Sequence, residues 1–175
     1  MPYWSNLPEN GESQRATRLI RVKPGKAIAG IVTSVHLVGC YVHYFRGRST
    51  PCERADCEAC KEKHTPRWYG WLSLWAPKSN EHVIAEITSS CVEAVREYEL
   101  KHGQLRGAVL TLERATAKIN SRLTARVQQS AMSPDVLPAE LDVVSVLEKI
   151  WETHRNGGEL KVAHPDDLPG QKRFA

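Results

Sequence analysis

Three of the five cysteines in this 175-residue chain, Cys52, Cys57 and Cys60, lie within nine residues of one another. Pairing as disulfides would leave one cysteine unmatched, and the polar N-terminus carries no export signal that would place the chain in an oxidising compartment. Zinc is a better explanation, because a Cys-x-x-Cys turn lets two thiolates bind one ion and Cys52 adds a third sulfur. The spacing therefore predicts a structural zinc site.

A tetrahedral zinc site needs a fourth nitrogen or sulfur ligand, and three residues could supply it. His43 lies in the run CYVHYFRG, which is typical of a strand that leads into the cysteine loop. His64 follows Cys60 at the spacing of a small zinc knuckle, and Cys40 is chemically suitable. We favour His43 because a ligand on a strand would tie the loop to the domain, and His64 and Cys40 stay as alternatives. Cys91 lies in a predicted helix, where we expect a small buried apolar side chain.

The order of the predicted elements indicates a mostly β domain with an internal helix. Strand-like runs cover residues 27–37, 40–46, 67–75, 82–88, 107–114 and 122–127, with 82–88 lengthening the third strand or adding another. A helix is predicted from Ser89 or Ser90 to about Lys101, with Gly103 as its C-terminal stop. This order is the layout of a five-stranded oligonucleotide-binding (OB) barrel, whose helix lies between its third and fourth strands.

The composition changes along the chain in a way that predicts four segments. We expect a flexible N-terminal arm at 1–17, an OB-fold domain at 18–128 with the zinc loop at 47–66, a linker and acidic amphipathic helix at 129–158, and a flexible tail at 159–175. The helix is predicted from Pro138 to His154, with Leu141, Val144, Leu147 or Glu148, and Trp151 on one face. This face could bind a protein partner or a second copy, but we favour packing on its own domain.

The formal net charge of +4 hides a strong separation of charge along the chain. Residues 15–26 carry five bases and no acid, and residues 104–128 carry five bases and one acid, whereas residues 135–159 are acidic. No stretch approaches the roughly 18 apolar residues of a membrane span, so we expect a cytoplasmic protein. The basic segments favour an anionic partner.

Four aromatic side chains lie between Arg67 and Trp75, where alternate residues of a strand share a face. One set contains Trp68, Gly70, Leu72 and Leu74 and is typical of a core face. The other set would then expose Tyr69, Trp71 and Trp75, with Tyr41 and Phe45 added from the neighbouring strand. Exposed aromatic rows between cationic strands are typical of proteins that stack unpaired bases. Two alternatives are burial of both faces, for example under the C-terminal helix, and the opposite register, which exposes Trp68.

The candidate nucleic-acid-binding residues are these aromatic side chains and the cations near them. They are Tyr41, Phe45, Arg46, Arg48, Arg67, Tyr69, Trp71, Trp75, Arg114, Lys118, Arg122 and Arg126. Stacking would hold the bases, and the cations would neutralise phosphates and release counterions.

The order of one histidine and three cysteines, His43, Cys52, Cys57 and Cys60, resembles that of the T-even phage helix-destabilising proteins, a family of single-stranded DNA-binding proteins. The resemblance covers roughly residues 27–127 in layout, and the cysteine loop of this chain is tighter. It implies a sequence-tolerant single-strand binder with a structural zinc, in which an acidic C-terminal segment recruits replication and recombination partners.

We therefore expect a non-enzymatic single-stranded DNA-binding protein that acts in DNA replication, recombination or repair. A zinc-stabilised protein-interaction module and an RNA-binding OB-fold protein are the alternatives. A zinc enzyme is disfavoured, because catalytic zinc keeps an open position beside a general base, and no His-x-Glu precedes the cysteines. The sequence also has no Gly-rich phosphate loop and no nucleophile elbow.

Overall fold

The computed structural model of the protein describes residues 18–151, so the predicted N-terminal arm, the last residues of the predicted C-terminal helix and the tail lie outside the described residues. The strands are β1 (Arg18–Ile20), β2 (Ala27–Val32), β3 (Val38–Phe45), β4 (Arg48–Pro51), β5 (Arg67–Ala76), β6 (Glu81–Thr88), β7 (Ala108–Arg114) and β8 (Leu123–Gln129). The helices are α1 (Glu58–Lys61), α2 (Val92–His102) and α3 (Val143–Trp151), with short 3-10 turns at Arg54–Asp56, Ser89–Cys91 and Pro134–Val136.

The eight strands form one mixed sheet in the order β1-β6-β5-β2-β7-β8, with β3 on β5 and β4 on β3. Only the pairing of β1 with β6 is parallel among the described strands. Strands β2 and β3 pair with successive parts of β5, since Val32 lies opposite Leu74 and Val38 lies opposite Trp71. Val38 lies six positions after Val32, but their partners on β5 are only three positions apart. The extra residues form a bulge, so that β2 and β3 are two parts of one bent strand.

The prediction of a mostly β fold with helices is confirmed in the form of an open mixed sheet. The helix α2 lies between β6 and β7 and ends at Gly103, whose φ of 80° is the left-handed conformation that favours glycine. A closed five-stranded barrel would need β8 to pair with β6, and within residues 18–151 no such pairing is present. Instead, the Ser90 hydroxyl after β6 donates to the Leu123 carbonyl of β8 at 2.8 Å.

One face of the sheet packs on α2 and forms the larger core. Strand β5 contributes Trp68, Leu72 and Leu74 to this core, which confirms the predicted core face of the strand. The indole of Trp68 lies against two glycines, Gly39 and Gly70, where a Cβ atom would overlap the ring. Glycine is required at both positions because the sheet backbone must approach the indole closely.

The other face of the sheet is covered by α3, which packs over β3, β5 and β6. Val143 and Leu147 of the helix are buried against Trp71, and Trp151 makes an edge-to-face contact with Trp71 at 5.4 Å between ring centroids. The favoured prediction, that the C-terminal helix packs on its own domain, is confirmed for residues 143–151. The strand that carries Trp71 is consequently covered on both faces.

Helix α3 begins at Val143 and not at Pro138, so the predicted start was wrong. The carboxylate of Asp142 accepts hydrogen bonds from the Ser145 backbone N–H at 3.0 Å and from the Ser145 hydroxyl at 2.7 Å, which is the geometry of an N-cap. The preceding residues are held outside the helix because the Arg106 guanidinium donates to the carbonyls of Leu137 and Pro138 at 2.9 and 3.1 Å.

A buried polar network joins β5 and β6 to the approach to α3. The Nε2 atom of His82 lies 2.7 Å from the Ser73 hydroxyl and 2.8 Å from the Thr33 hydroxyl. The Ser73 hydroxyl also accepts from the Leu141 backbone N–H at 3.2 Å. Both Thr33 and Ser73 are fully buried, so the network satisfies polar groups that have no access to water.

The packing of α3 predicts a large stability loss on truncation of Leu147, which is fully buried. We expect Leu147→Ala to lower the free energy of unfolding by about 2–5 kcal/mol, because it leaves a cavity between helix and sheet. The exposed Lys149→Ala variant is the control and should change it by less than about 0.5 kcal/mol. Urea unfolding measures both, and equal small losses would show that α3 is not held on the sheet.

Burial, together with the positive charge of Arg106, lowers the pKa of His82 below its ordinary value of 6.5. Below that pH the unfolded chain binds more protons than the folded chain, so acidification destabilises the fold. We expect His82→Gln to lose less unfolding free energy between pH 7 and pH 5 than the wild type, measured by urea unfolding at each pH. Release of a metal at low pH would destabilise both proteins equally, so the difference between their losses of unfolding free energy is due to His82. The exposed His102→Gln control should follow the wild type, and a wild-type profile in His82→Gln would contradict the assignment.

Candidate metal centre

The structure brings together one histidine and three cysteines, His43, Cys52, Cys57 and Cys60. Their potential ligand atoms all lie within 4.8 Å of one another. The Cys60 sulfur is 3.3 Å from His43 Nε2 and 3.6 Å from the Cys52 sulfur. His43 and Cys57 are buried, and Cys52 and Cys60 are half-buried. The four residues could therefore hold one metal ion at the edge of the domain.

The β3–β4 hairpin positions two of the four ligands. Its turn consists of Arg46 and Gly47, which both have positive φ, as a two-residue turn of the type I′ class requires. His43 lies opposite Thr50, and the Cys52 backbone N–H donates to the Tyr41 carbonyl at 2.7 Å. Because alternate residues of a strand share a face, this register places Cys52 on the same side of the hairpin as His43.

The remaining two ligands come from the first turn of the short helix α1. Cys57 immediately precedes the helix, and the Lys61 backbone N–H donates to the Cys57 carbonyl at 3.1 Å. This turn brings the Cys57 and Cys60 sulfurs to the same ion position. At the end of the helix, the Lys63 N–H donates to the Cys60 carbonyl and the His64 N–H donates to the Ala59 carbonyl, each at 2.9 Å.

The acid–base properties of the cluster favour binding of a cation. Burial raises the pKa of the Cys57 thiol, but hydrogen bonds from the backbone of Cys60 and Glu53 outweigh it and leave the pKa below its usual value. Burial, with the hydrogen bond and charge of Cys52, raises the pKa of Cys60 to about 12. The sulfurs are too close to ionise together without a countercharge, and a divalent cation would supply one.

His43 is held in the form that binds a metal. Burial and the nearby charge of His64 lower the pKa of His43, while a backbone contact with His64 acts in the opposite direction. A lowered pKa favours the neutral imidazole, which is the form that binds a metal. Its Nε2 atom is 3.3 Å from the Cys60 sulfur. Its Nδ1 atom is buried and has no hydrogen bond of ordinary geometry to the described part of the chain.

The two alternative fourth ligands are not among the residues whose ligand atoms come together. His64 is exposed and packs against the ring of Phe45 at 5.1 Å between centroids. Cys40 is 2% exposed and lies in the core under α3, where burial and the charge of Cys52 raise its pKa to about 12. The favoured position of His43 is thus the one that the geometry supports. Cys91 is fully buried in the larger core, as predicted.

The predicted row of exposed aromatic side chains is wrong in three of its members. Trp71 is 2% exposed because α3 covers it, Tyr41 is 5% exposed in the larger core, and Phe45 is 8% exposed. Phe45 packs instead on Cys57 and Ala59 in a small core inside the cysteine loop. Tyr69 and Trp75 are half-buried, and the Trp75 indole N–H donates to the Asn80 side-chain oxygen at 3.1 Å.

Two of the predicted phosphate-binding arginines have structural contacts. The Arg46 guanidinium lies over the Phe45 ring and pairs with Glu58 at 2.8 Å and with Glu62 at 3.1 Å. The Arg114 guanidinium is half-buried and donates to the carbonyls of Val22 and Ser121, which links the segment after β1 to the β7–β8 loop. The five other cations of the predicted set are exposed, namely Arg48, Arg67, Lys118, Arg122 and Arg126.

A surface cleft of about 430 Å³ lies where β5 leaves the cysteine loop, and five of its residues, Thr65, Pro66, Trp68, Thr88 and Ser89, were not predicted as site residues. It is lined by Tyr41, Thr65, Pro66, Arg67, Trp68, Tyr69, Thr88 and Ser89. Thr65, Pro66, Thr88 and Ser89 have no pattern in the sequence that marks them. They come together only because β6 pairs with β5, with Thr88 opposite Tyr69.

No family model, curated protein or solved structure matches the chain. None of the helices in residues 18–151 has both the length and the apolar composition needed to span a membrane.

The geometry of the cluster predicts which substitutions abolish metal binding. We expect His43→Ala and Cys60→Ala to reduce the bound metal from about one ion per chain to near zero, because each removes a ligand of a four-ligand site. The matched controls His64→Ala and Cys40→Ala should keep the wild-type content. Elemental analysis of the purified proteins measures this, and loss of metal in His64→Ala with retention in His43→Ala would contradict the ligand set.

Proposed function

We propose that the protein is a sequence-tolerant single-stranded DNA-binding protein with a structural zinc, acting in DNA replication, recombination or repair. The observation that carries the proposal is the exposure of cations on two loops, one between β3 and β5 and the other between β7 and β8.

Zinc is the metal that suits this donor set best. Three thiolates and one imidazole are typical ligands of structural zinc, and four protein ligands leave no open position for a catalytic water. The loop between β3 and β5 has an apolar core of only three buried residues, Phe45, Cys57 and Ala59. So small a core does not order a loop by itself, and a bound ion would supply the missing folding free energy. We therefore assign the zinc a structural role in a protein that is not an enzyme.

The strand order supports an OB-type arrangement. The bent strand β2–β3, followed by β5, β6, helix α2, β7 and β8, matches the sequence of elements of that fold, and β2 pairs with both β5 and β7. In a closed barrel, β6 would pair with β8. Here β1 pairs with the outer edge of β6, and the hydrogen bond from Ser90 to Leu123 joins the end of β6 to β8. In OB folds, the loops after the first and fourth strands bind oligonucleotides. The corresponding loops here are residues 46–66 and 115–122.

Both of these loops present cations to solvent. Exposed Arg48, Arg54, Lys61 and Lys63 belong to the first loop, and exposed Lys118 and Arg122 belong to the second, next to Arg126 on β8. Side chains of this kind neutralise phosphates without reading bases, which suits a binder that tolerates any sequence. The half-buried rings of Tyr69 and Trp75 are the aromatic surfaces that are still accessible on β5.

The alternative of a protein-interaction module loses its main support. Its basis was the apolar face of the C-terminal helix, and in residues 143–151 that face is packed on the Trp71 side of the sheet. Use of DNA or RNA is a separate question, because phosphate contacts are common to both and the 2′-hydroxyl distinguishes them. An RNA oligonucleotide therefore belongs in the test.

Fluorescence anisotropy with labelled oligo-dT, the same sequence in RNA and a DNA duplex tests the function. We expect the tightest binding to oligo-dT, with an affinity that falls steeply as salt rises. The double variant Arg122→Ala/Arg126→Ala should weaken binding and reduce the slope of log K against log salt by about 1.4, at about 0.7 for each phosphate contact on a single strand.

The control for this test is Lys101→Ala, an exposed cation at the end of α2 that belongs to neither loop. It should leave the salt slope unchanged. Absence of oligo-dT binding at low salt, or a preference for the duplex, would overturn the proposed function. A preference for the RNA strand would replace DNA with RNA as the partner.

A further inference from the structure

The cleft at the start of β5 has the size and lining of a ligand site. Its volume of about 430 Å³ lies within the range of about 300–1,000 Å³ that is usual for small-molecule pockets. Three of its eight lining residues are aromatic, Tyr41, Trp68 and Tyr69, and none is acidic. The aromatic residues favour a flat, uncharged ring as the ligand. Arg67 favours an anionic group next to that ring.

The aromatic part of the lining is held rigidly. Tyr41 and Trp68 lie opposite each other in the β3–β5 pairing and belong to the larger core, where they are 5% and 6% exposed, so each offers the cleft a small part of its side chain from a fixed position. Tyr69 is half-buried, and its ring contacts Trp71 at 6.5 Å between centroids. Fixed aromatic walls bind a planar ring with little loss of conformational entropy.

The polar part of the lining consists of hydroxyl groups. Thr65 and Ser89 each carry a hydroxyl that can donate or accept a hydrogen bond by rotation, whereas the Thr88 hydroxyl is hydrogen-bonded to that of Ser90 at 2.8 Å. A hydroxyl-lined pocket can therefore satisfy the edges of different bases, because it does not prescribe a pattern of donors and acceptors. This chemistry suits recognition of a base without selection of its identity.

Arg67 supplies the charge at the mouth of the cleft. Its side chain is exposed, and within residues 18–151 its guanidinium has no carboxylate partner. A guanidinium in this position can bind a phosphate through two parallel hydrogen bonds. By contrast, Arg46 in the β3–β4 turn is already paired with Glu58 and Glu62.

We propose that this cleft binds one unstacked nucleobase of a single strand, with the adjoining phosphate on Arg67. The inference rests on the proposed single-strand binding and assigns the site at which a base, as opposed to the phosphate backbone, is held. Thr65 and Pro66, which form one wall, are the last two residues of the cysteine loop, so an ordered loop is a condition for the site.

A comparison of oligo-dT with an abasic oligonucleotide of the same length tests the proposal, because the two carry equal phosphate charge. Fluorescence anisotropy on the full chain should show that the wild type binds oligo-dT about 5- to 150-fold more tightly, the equivalent of roughly 1–3 kcal/mol for one stacked base. The variant Thr65→Trp fills the cleft from its exposed rim. It should lose this preference and keep the wild-type affinity for the abasic strand.

Two further variants complete the design. Arg67→Ala should weaken binding of both oligonucleotides by a similar factor, since both carry the phosphate. The control Leu100→Trp adds the same indole on the exposed side of α2, where Leu100 is 77% exposed, and should bind both strands as the wild type does.

The outcomes separate this inference from the proposed function. If neither oligonucleotide binds at low salt, the proposed function fails. If both bind and Thr65→Trp keeps the wild-type preference for oligo-dT, single-strand binding stands and the cleft is not the base site. An equal loss for both strands in Thr65→Trp would also overturn the cleft, because the substitution would then act on phosphate binding.

Discussion

The rest of the structure depends on the pairing of β5 with three strands at once. Its first half pairs with β3, its last residues pair with β2, and its other edge pairs with β6 along eight residues. Because α2 and α3 cover opposite faces of the sheet, β5 contributes to both cores, through Leu72 on one side and Trp71 on the other. The position of the cysteine loop and of the cleft follows from where this strand begins.

Local periodicity was sufficient to predict most of the elements and one face of β5, but it could not reveal what covers the other face. Alternation showed that Trp71 and Trp68 point in opposite directions. The helix that buries Trp71 begins at Val143, and a contact between residues so distant in sequence leaves no mark on the alternation of the strand. The start of that helix was also misplaced, because the cap by Asp142 and the hydrogen bonds of Arg106 depend on tertiary structure.

The cluster of His43 and three cysteines was more predictable than the exposure of the aromatic and cationic side chains, and the reason is the range of the interactions. Four ligands within eighteen residues are limited by chain geometry, and a strand-borne His43 needs only the β3–β4 register to reach the sulfurs. Which cations are available to a ligand depends on long-range partners. Arg114 and Arg126 look alike in the sequence, yet one is bonded to the carbonyl of Val22 and the other is exposed.

The parallel pairing of β1 with β6 also has a consequence for synthesis of the chain. Arg18 pairs with Val83, so the first described strand leaves the ribosome 65 residues before its partner. At about 5–20 residues per second, β1 waits roughly 3–13 s before it can pair. The segment after it waits longer still for Arg114, whose guanidinium binds the Val22 carbonyl. The beginning of the domain is therefore ordered late during translation, and a nascent chain stalled before β6 would carry its basic N-terminal segment unpaired.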